Sequence, residues 1–226
     1  MKILINDLMQ YSDAPDKIKS PALADAYREE VFFAAAWDDP IYLNCIGIGY
    51  TDASEVYISS DGEYPDYTVE LTQEVPYLNG LYLVPAMTVD ALTISHNGTY
   101  IGRVGIGRYR TLGTNPTKEI GWYTTTENRT TLSGQPIPGA GGYRGRRFEA
   151  DIRYKFDEDV YDDIEAAYTS QIMKGFPYFL LLDDEQHKVP PGMLHFYAAS
   201  KEPLSMLQSS TYRFLYSYKF SFYERF

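Results

Sequence analysis

Arg146–Asp184 reads RRFEADIRYKFDEDVYDDIEAAYTSQIMKGFPYFLLLDD, and its periodicities decide the fold. In Arg147–Phe156 the apolar residues Phe148, Ala150, Ile152, Tyr154 and Phe156 alternate with Arg147, Glu149, Asp151, Arg153 and Lys155. A period of two over that length predicts a strand with one buried and one wet face. The period then changes. Val160, Ile164, Tyr168 and Ile172, joined by Ala167, recur as one apolar stripe and predict a helix over Asp159–Lys174. Asp157 or Asp159 can cap its start, where the acidic cluster suits the positive end of the helix dipole. Lys174 falls in the last turn, Gly175 can take the left-handed conformation after it, and Pro177 prevents resumption. Tyr178–Leu182 is almost wholly apolar and predicts a sheet-core strand. This cassette of strand, helix and strand holds no catalytic constellation.

Outward from the cassette the text stays rich in strands. Tyr212–Phe226 alternates Phe214, Tyr216, Tyr218, Phe220 and Phe222 against Ser217, Lys219 and Ser221, which predicts a long terminal strand. A shorter one is expected around Leu194–Ala198. Ser133–Gly145 (SGQPIPGAGGYRG) is rich in Gly and Pro and reads as a long loop. Glu119–Thr125 alternates, and Glu127-Asn128 turns the chain into Arg129–Leu132. Further back, Lys2–Asn6 alternates weakly, Tyr11–Pro21 is proline-marked loop, and Ala22–Glu30 has room for a helical turn. Seven short strands follow at near-regular spacing: Val31–Ala36, Leu43–Gly49, Glu55–Ser59, Tyr67–Leu71, Leu81–Val84, Ala91–His96 and Tyr100–Arg108. Such spacing predicts a β sandwich. Asn79-Gly80 and Asn97-Gly98 are its strongest hairpin signals.

Composition limits the function classes. The 226 residues are 44% hydrophobic and 15% aromatic, enough to bury a core. A net charge of −11 argues against a nucleic-acid-binding surface spread over the whole protein. One cysteine, Cys45 in LNCIGIG, excludes an internal disulfide framework and a thiolate zinc site, and reads as a small core residue. No apolar run approaches the ~20 residues of a membrane span. MKILINDLMQYSD does not read as a signal peptide, so synthesis and assembly in a cytoplasm are expected.

Candidate chemistry is sparse, and no catalytic, cofactor or metal residue is assigned. His96, His187 and His195 stand too far apart for a ligand motif. The doublets Asp38-Asp39, Asp162-Asp163 and Asp183-Asp184 lack the spacing of a calcium loop and suit turns or a helix start. Gly139–Gly145 lacks the ending of a phosphate loop, and Gly102-Arg-Val-Gly-Ile-Gly has the wrong spacing for a dinucleotide fingerprint. Arg103, Arg108, Arg110, Arg144, Arg146 and Arg147 suit a phosphate grip or, in so acidic a chain, ion pairs between subunits.

Two resemblances rest on these motifs. Over residues 25–112 the order Ala36–Asp39, Asn44–Gly49, Thr51–Ser54, Val56–Ser60, Asp61-Gly62, then Leu92–Ser95 with Ile101–Gly107, resembles a galactose-binding-like (discoidin-type) jelly roll. No arrangement of Arg and Asp matches that family's sugar site. The strand Arg147–Phe156, the helix Asp159–Lys174, Gly175–Pro177, Tyr178–Leu182 and Tyr218–Phe226 resemble the distal tail (Dit-like) proteins of long-tailed bacteriophages and their tail-tube relatives. The resemblances imply a mainly β chain: a galactose-binding-like β sandwich (jelly roll) plus a split β barrel with one packed α helix. Residues 1–20 would be an N-terminal strand and linker, 21–113 the jelly-roll module, and 114–226 the split barrel with helix 159–174. The module would be an insertion after a first barrel strand at Lys2–Asn6.

The implied function is that of a non-enzymatic virion protein without cofactors. It would form a homo-oligomeric ring, a hexamer for instance, at the tail tip, baseplate or adaptor, beside tail-tube, hub or fibre proteins. Gln135, Gly139, Gly142, Arg144 and Arg146 are the interface candidates, because a glycine-rich loop can drape over a neighbour. DNA would be passing cargo only, with Glu149 and Asp151 lining an acidic lumen and Arg147 and Arg153 partly cancelling them. The alternative is a carbohydrate-binding module for host surface glycans, with exposed aromatics such as Trp37 or loop tyrosines stacking on the sugar ring.

Overall fold

Lys2–Leu4 forms β1, followed by a 3₁₀ turn at Leu8–Tyr11 and a single helical turn, α1, at Asp16–Lys19. Strands β2 (Phe32–Thr51), β3 (Glu55–Ser59), β4 (Tyr67–Glu70), β5 (Asn79–His96) and β6 (Ile101–Gly107) come next. The remainder supplies β7 (Tyr109–Thr111), β8 (Thr117–Thr125), β9 (Arg129–Thr130), β10 (Pro136–Ile137) and β11 (Tyr143–Lys155). Last come β12 (Tyr178–Leu181), β13 (His195–Ser200), β14 (Ser205–Gln208) and β15 (Tyr216–Glu224). The computed structural model describes residues 2–4, 6–20, 26–60, 66–71, 79–111, 117–125, 129–130, 136–137, 143–155, 177–182, 195–200, 205–208 and 216–224. The helix expected over Asp159–Lys174 lies outside them. The described chain is mainly β, in antiparallel sheets.

Five strands pair in the order β4-β3-β5-β2-β6. Two of them are far longer than the sequence suggests, since Val31–Ala36 and Leu43–Gly49 merge into β2, and Leu81–Val84 and Ala91–His96 into β5. The first half of β2 pairs with the last half of β5, from Phe32↔Ser95 to Ala36↔Ala91. The register then slips, so that residues 37–40 of β2 stand opposite Asp90 alone; pairing runs from Ile41↔Val89 to Leu43↔Met87, slips once more, and continues from Cys45↔Leu83 to Gly49↔Asn79. An insertion of this kind bends a strand, and Pro40 sits inside it, where a missing N–H costs no ladder bond. The bent pair walls one core from two sides. Phe33, Ala35, Leu92 and Ile94 come from one half and Ile46 and Ile48 from the other, joined by Val104 and Ile106 of the adjoining β6.

Neither expected hairpin is one. Asn79-Gly80 opens β5 as a paired strand against Gly49 and Ile48. Asn97-Gly98 joins β5 to β6, which lie on opposite sides of β2 and not beside each other. The segment read as linker packs instead. Met9, Ala14 and Ile18 are buried in the sandwich core. Asp13 ties this segment to β2, since the Ala36 N–H donates to Asp13 Oδ1 at 2.7 Å and the Asp13 N–H to the Ala36 carbonyl at 3.3 Å. Its helical turn falls at Asp16–Lys19, whereas Tyr27 forms an isolated β-bridge with Ile101.

The second sheet has eight strands, β7-β1-β12-β13-β15-β11-β8, with β14 also on β15. Here β1 lies between the last residues of the sandwich excursion and the cassette: Lys2 pairs with both Thr111 and Leu181. Strand β11 begins at Tyr143, earlier than the alternation suggests, because Tyr143, Arg144 and Gly145 pair with Thr125, Thr124 and Tyr123 of β8. Part of the expected long loop is therefore strand, and β9 and β10 form a separate two-stranded sheet through Arg129↔Ile137 and Thr130↔Pro136.

Candidate functional site

The two sheets meet at a seat made of glycine. Gly47 on β2 and Gly105 on β6 are register partners, and the Phe179 ring of β12 lies directly on them. A methyl group added at Gly47 would collide with that ring, and one at Gly105 would press on both Leu4 and Phe179. Leu4, Cys45, Leu81 and Phe179 form the small core of this seam, edged by Tyr50, Tyr109 and Leu181. Cys45 is the expected buried core residue; its thiol faces the Gly107 carbonyl at 3.3 Å, and burial pushes its pKa upward.

A buried ion pair stands beside the seam. Asp7 and Arg103 have side chains only 10% and 8% exposed and are in direct contact. The other Asp7 oxygen accepts from the Met9 N–H at 3.1 Å and the Ile106 N–H at 3.2 Å, while Arg103 also donates to the Lys19 carbonyl. Burial leaves the Asp7 carboxyl above its ordinary value, although Arg103 and the two backbone donors oppose it. Arg103 is thus committed within the chain. It is available neither to phosphate nor to another subunit, which corrects that expectation. Arg108 also has an intrachain use, stacking its guanidinium 4.3 Å from the Tyr42 ring centre.

The third cluster closes one end of the sandwich. Asp52 accepts from the Thr99 N–H at 2.8 Å, the Thr99 hydroxyl at 2.5 Å and the Tyr100 N–H at 3.2 Å. Asn97 accepts from the Ser54 and Glu55 N–H groups at 2.9 and 3.1 Å and donates to the Ser54 hydroxyl at 2.8 Å. Tyr50 has a left-handed backbone, φ 54°, which is uncommon for an aromatic residue. Its ring packs 5.1 Å from Tyr100, whose ring also carries the Arg28 guanidinium at 4.7 Å. Beneath lies His96, 4% exposed, with neither ring nitrogen hydrogen-bonded. Burial lowers its pKa, opposed by the Asp52 charge and by the Gly98 backbone, which lies near without completing a hydrogen bond.

Of the residues singled out from sequence, Trp37 is 9% exposed, its indole N–H donating to the Leu8 carbonyl at 2.9 Å. A core tryptophan cannot stack on a sugar, so that assignment is corrected. Arg146 is 2% exposed and not offered to a neighbour: it lies on the same face of β11 as Phe148, paired in register with Trp122. Arg144 lies in the β8–β11 ribbon. Gln135, Gly139 and Gly142 lie outside the described residues. Glu149 is ion-paired with Arg147 on the same strand, so the anticipated cancellation is present there; Asp151 lies two residues on, opposite Lys219. Among the described residues no three His, Cys, Asp or Glu side chains group as for a metal ion, and no helix is long and apolar enough to cross a membrane. The glycine seat and Asp7 are absent from the sequence-based expectations. The paired Gly-Ile-Gly runs at 47–49 and 105–107 are the available signal, since alternate glycines in a strand mark close approach by another element. Comparison with protein-family models, curated proteins and solved structures finds no match.

Proposed function

We propose that this chain is a non-enzymatic structural protein of a bacteriophage tail, a ring-forming subunit of the tail tip, baseplate or adaptor. The observation that supports it most is the nesting of the two sheets. β1 and β7 are neighbours in the eight-stranded sheet, so the five-stranded sandwich is an excursion from that sheet and not a preceding domain on a linker. This is the layout expected of a jelly-roll module inserted after the first strand of a split barrel.

The reach of the chain supports a barrel-like curl. β7 and β8 are consecutive in sequence yet occupy the two ends of the seven-strand path. Six spacings in a flat sheet span about 29 Å. The six peptide steps from Thr111 to Thr117 reach at most about 23 Å. The sheet must therefore roll, which favours a split barrel. The glycine seat then joins module and barrel without a hinge, as a ring subunit with a rigidly projecting module requires. The paired strands β8 and β11, with the separate pair β9 and β10 between them in sequence, are the elements that would reach a neighbour.

Mass photometry and negative-stain microscopy of the purified chain test this, with co-purified tail proteins as partners. A closed ring, lost when Gln135–Gly142 is deleted from a still-folded chain, is the expected result. A strict monomer both alone and on virions would refute it. With Trp37 buried, the glycan reading loses the tryptophan named for it; strong glycan-array binding would restore it.

A further inference from the structure

We infer that His96 makes the loop end of the sandwich acid-sensitive: protonation of its imidazole releases the turn at residues 97–100 from the 52–55 segment. This does not depend on the proposed role in a phage tail. His96 is the last residue of β5, its backbone N–H donates to the Val31 carbonyl at 2.9 Å, and it pairs with Val56 on β3. Val56 is buried, and the imidazole beside it is 4% exposed with both nitrogens unpaired. A neutral imidazole tolerates such a site at moderate cost. An imidazolium there puts a charge in the core with only the Gly98 backbone near its donors, a far larger penalty.

The charged groups around it offer relief only if the turn moves. Asp52, from the β2–β3 connection, is the one whose charge favours the protonated ring. Its oxygens are already engaged by Thr99 and Tyr100. On β3, Glu55 is held by the Tyr57 hydroxyl, on the outward side of a strand whose Val56 and Ile58 point inward. Glu70 on β4 is exposed opposite Glu55. In the segment before β2, Glu29 pairs with Lys17, Arg28 stacks on Tyr100, and Glu30 is exposed. Freeing Asp52 from Thr99 would give the imidazolium both a carboxylate and water. The turn that must yield is tied down by the Asp52 and Asn97 side chains, by the Thr51 hydroxyl donating to the Tyr100 carbonyl at 2.6 Å and by the Asn97 N–H donating to the Glu55 carbonyl at 3.3 Å.

Linkage sets the direction of the pH effect. The ordinary histidine value is 6.5 and burial holds the folded value below it. Stability from the neutral ring is complete above the ordinary value and is lost as pH falls through the folded value.

The test is hydrogen exchange on the full chain at pH 7.5 and 5.0, comparing protection factors at Ser54, Glu55, Thr99 and Tyr100, together with NMR titration of His96. Several-fold lower protection of these amides at pH 5.0, absent in His96→Phe, is expected, with core amides of β2 and β6 unchanged. Equal protection at both pH values, or the same drop in His96→Phe, would overturn the inference. Should that variant not fold, the wild-type titration decides alone: a His96 pKa at or above 6.5 refutes it, and a depressed one with loss of protection over the same pH range supports it.

Discussion

Strand β2 lives in two environments. From Phe32 to Trp37 its residues alternate exposed and buried, so one face meets the core and the other meets water. From Cys45 to Gly49 every residue is buried. Both halves pair with β5 and the second alone also pairs with β6, but edge pairing covers backbone rather than a face, so the ladder does not account for the change. What differs is the second layer. Behind the first half there is solvent, whereas behind the second half stand β1 and β12 with Leu4 and Phe179. A strand covered on both faces loses its alternation, and here it also loses side chains, with glycine wherever an aromatic ring comes closest. Position in the stack of sheets, more than position in a sheet, sets what each residue tolerates.

The strongest way to break this comparison is to empty the seat. Phe179→Ala should cost about 3–5 kcal/mol in chemical denaturation, as a fully buried ring replaced by a cavity. A loss under about 0.5 kcal/mol, the range of surface changes, would mean that the sheets do not meet there.

The ion pair on the twice-covered side should respond nearly as strongly. Arg103→Met leaves Asp7 buried without its cation and should cost about 3–5 kcal/mol. The double change Asp7→Leu with Arg103→Met should recover much of that, since removing both charges also removes their desolvation cost. If the double variant is as unstable as the sum of the singles, the pair is not the coupled unit described.

Overfilling comes next. Gly47→Ala should cost about 1–3 kcal/mol through collision with Phe179, and the cost should shrink in a Phe179→Leu background, where the two sites couple. Simple additivity would place the Gly47 methyl elsewhere.

A smaller, pH-dependent effect sharpens the contrast at the open end of the sandwich. Burial would raise the Asp52 carboxyl, but the Thr99 hydroxyl, the Thr99 N–H and the Tyr100 N–H outweigh it and lower its pKa below the ordinary 3.8. Its contribution is therefore present above 3.8 and lost as pH falls through the lower folded value. Asp52→Asn should cost about 1 kcal/mol at pH 7, and the difference from wild type should close as pH falls from 3.8 through the lower folded value. A difference that persists unchanged in acid would assign the loss to packing.

The smallest effect belongs to the wet face. Phe32 is 50% exposed, and Phe32→Ser should change stability by no more than about 0.5 kcal/mol. A larger loss would show that something covers this face.

Much of the strand content is legible in the amino-acid sequence. Alternation in Arg147–Lys155, the apolar run Tyr178–Leu181 and the terminal run through Tyr216–Glu224 all lie in strands of one sheet. A period of two is a local property, imposed by the pleat and visible in a few residues. The apolar run around Cys45 likewise marks its core position, and spacing on one strand face is enough to set Arg147 against Glu149. Tertiary packing decided the rest. Asn79-Gly80 has ideal turn chemistry yet lies in a strand, because pairing with Ile48 and Gly49 outweighs a local preference. Trp37 looks like an exposed binding aromatic until the strand bends and the Leu8 carbonyl meets its indole. Phe179 finds Gly47 across about 130 residues of chain and Gly105 across about 74, and Asp7 finds its arginine across 96. Long-range contacts of that kind depend on which layers stack. Stacking is settled by the summed burial of whole faces, and no short window of sequence contains that sum.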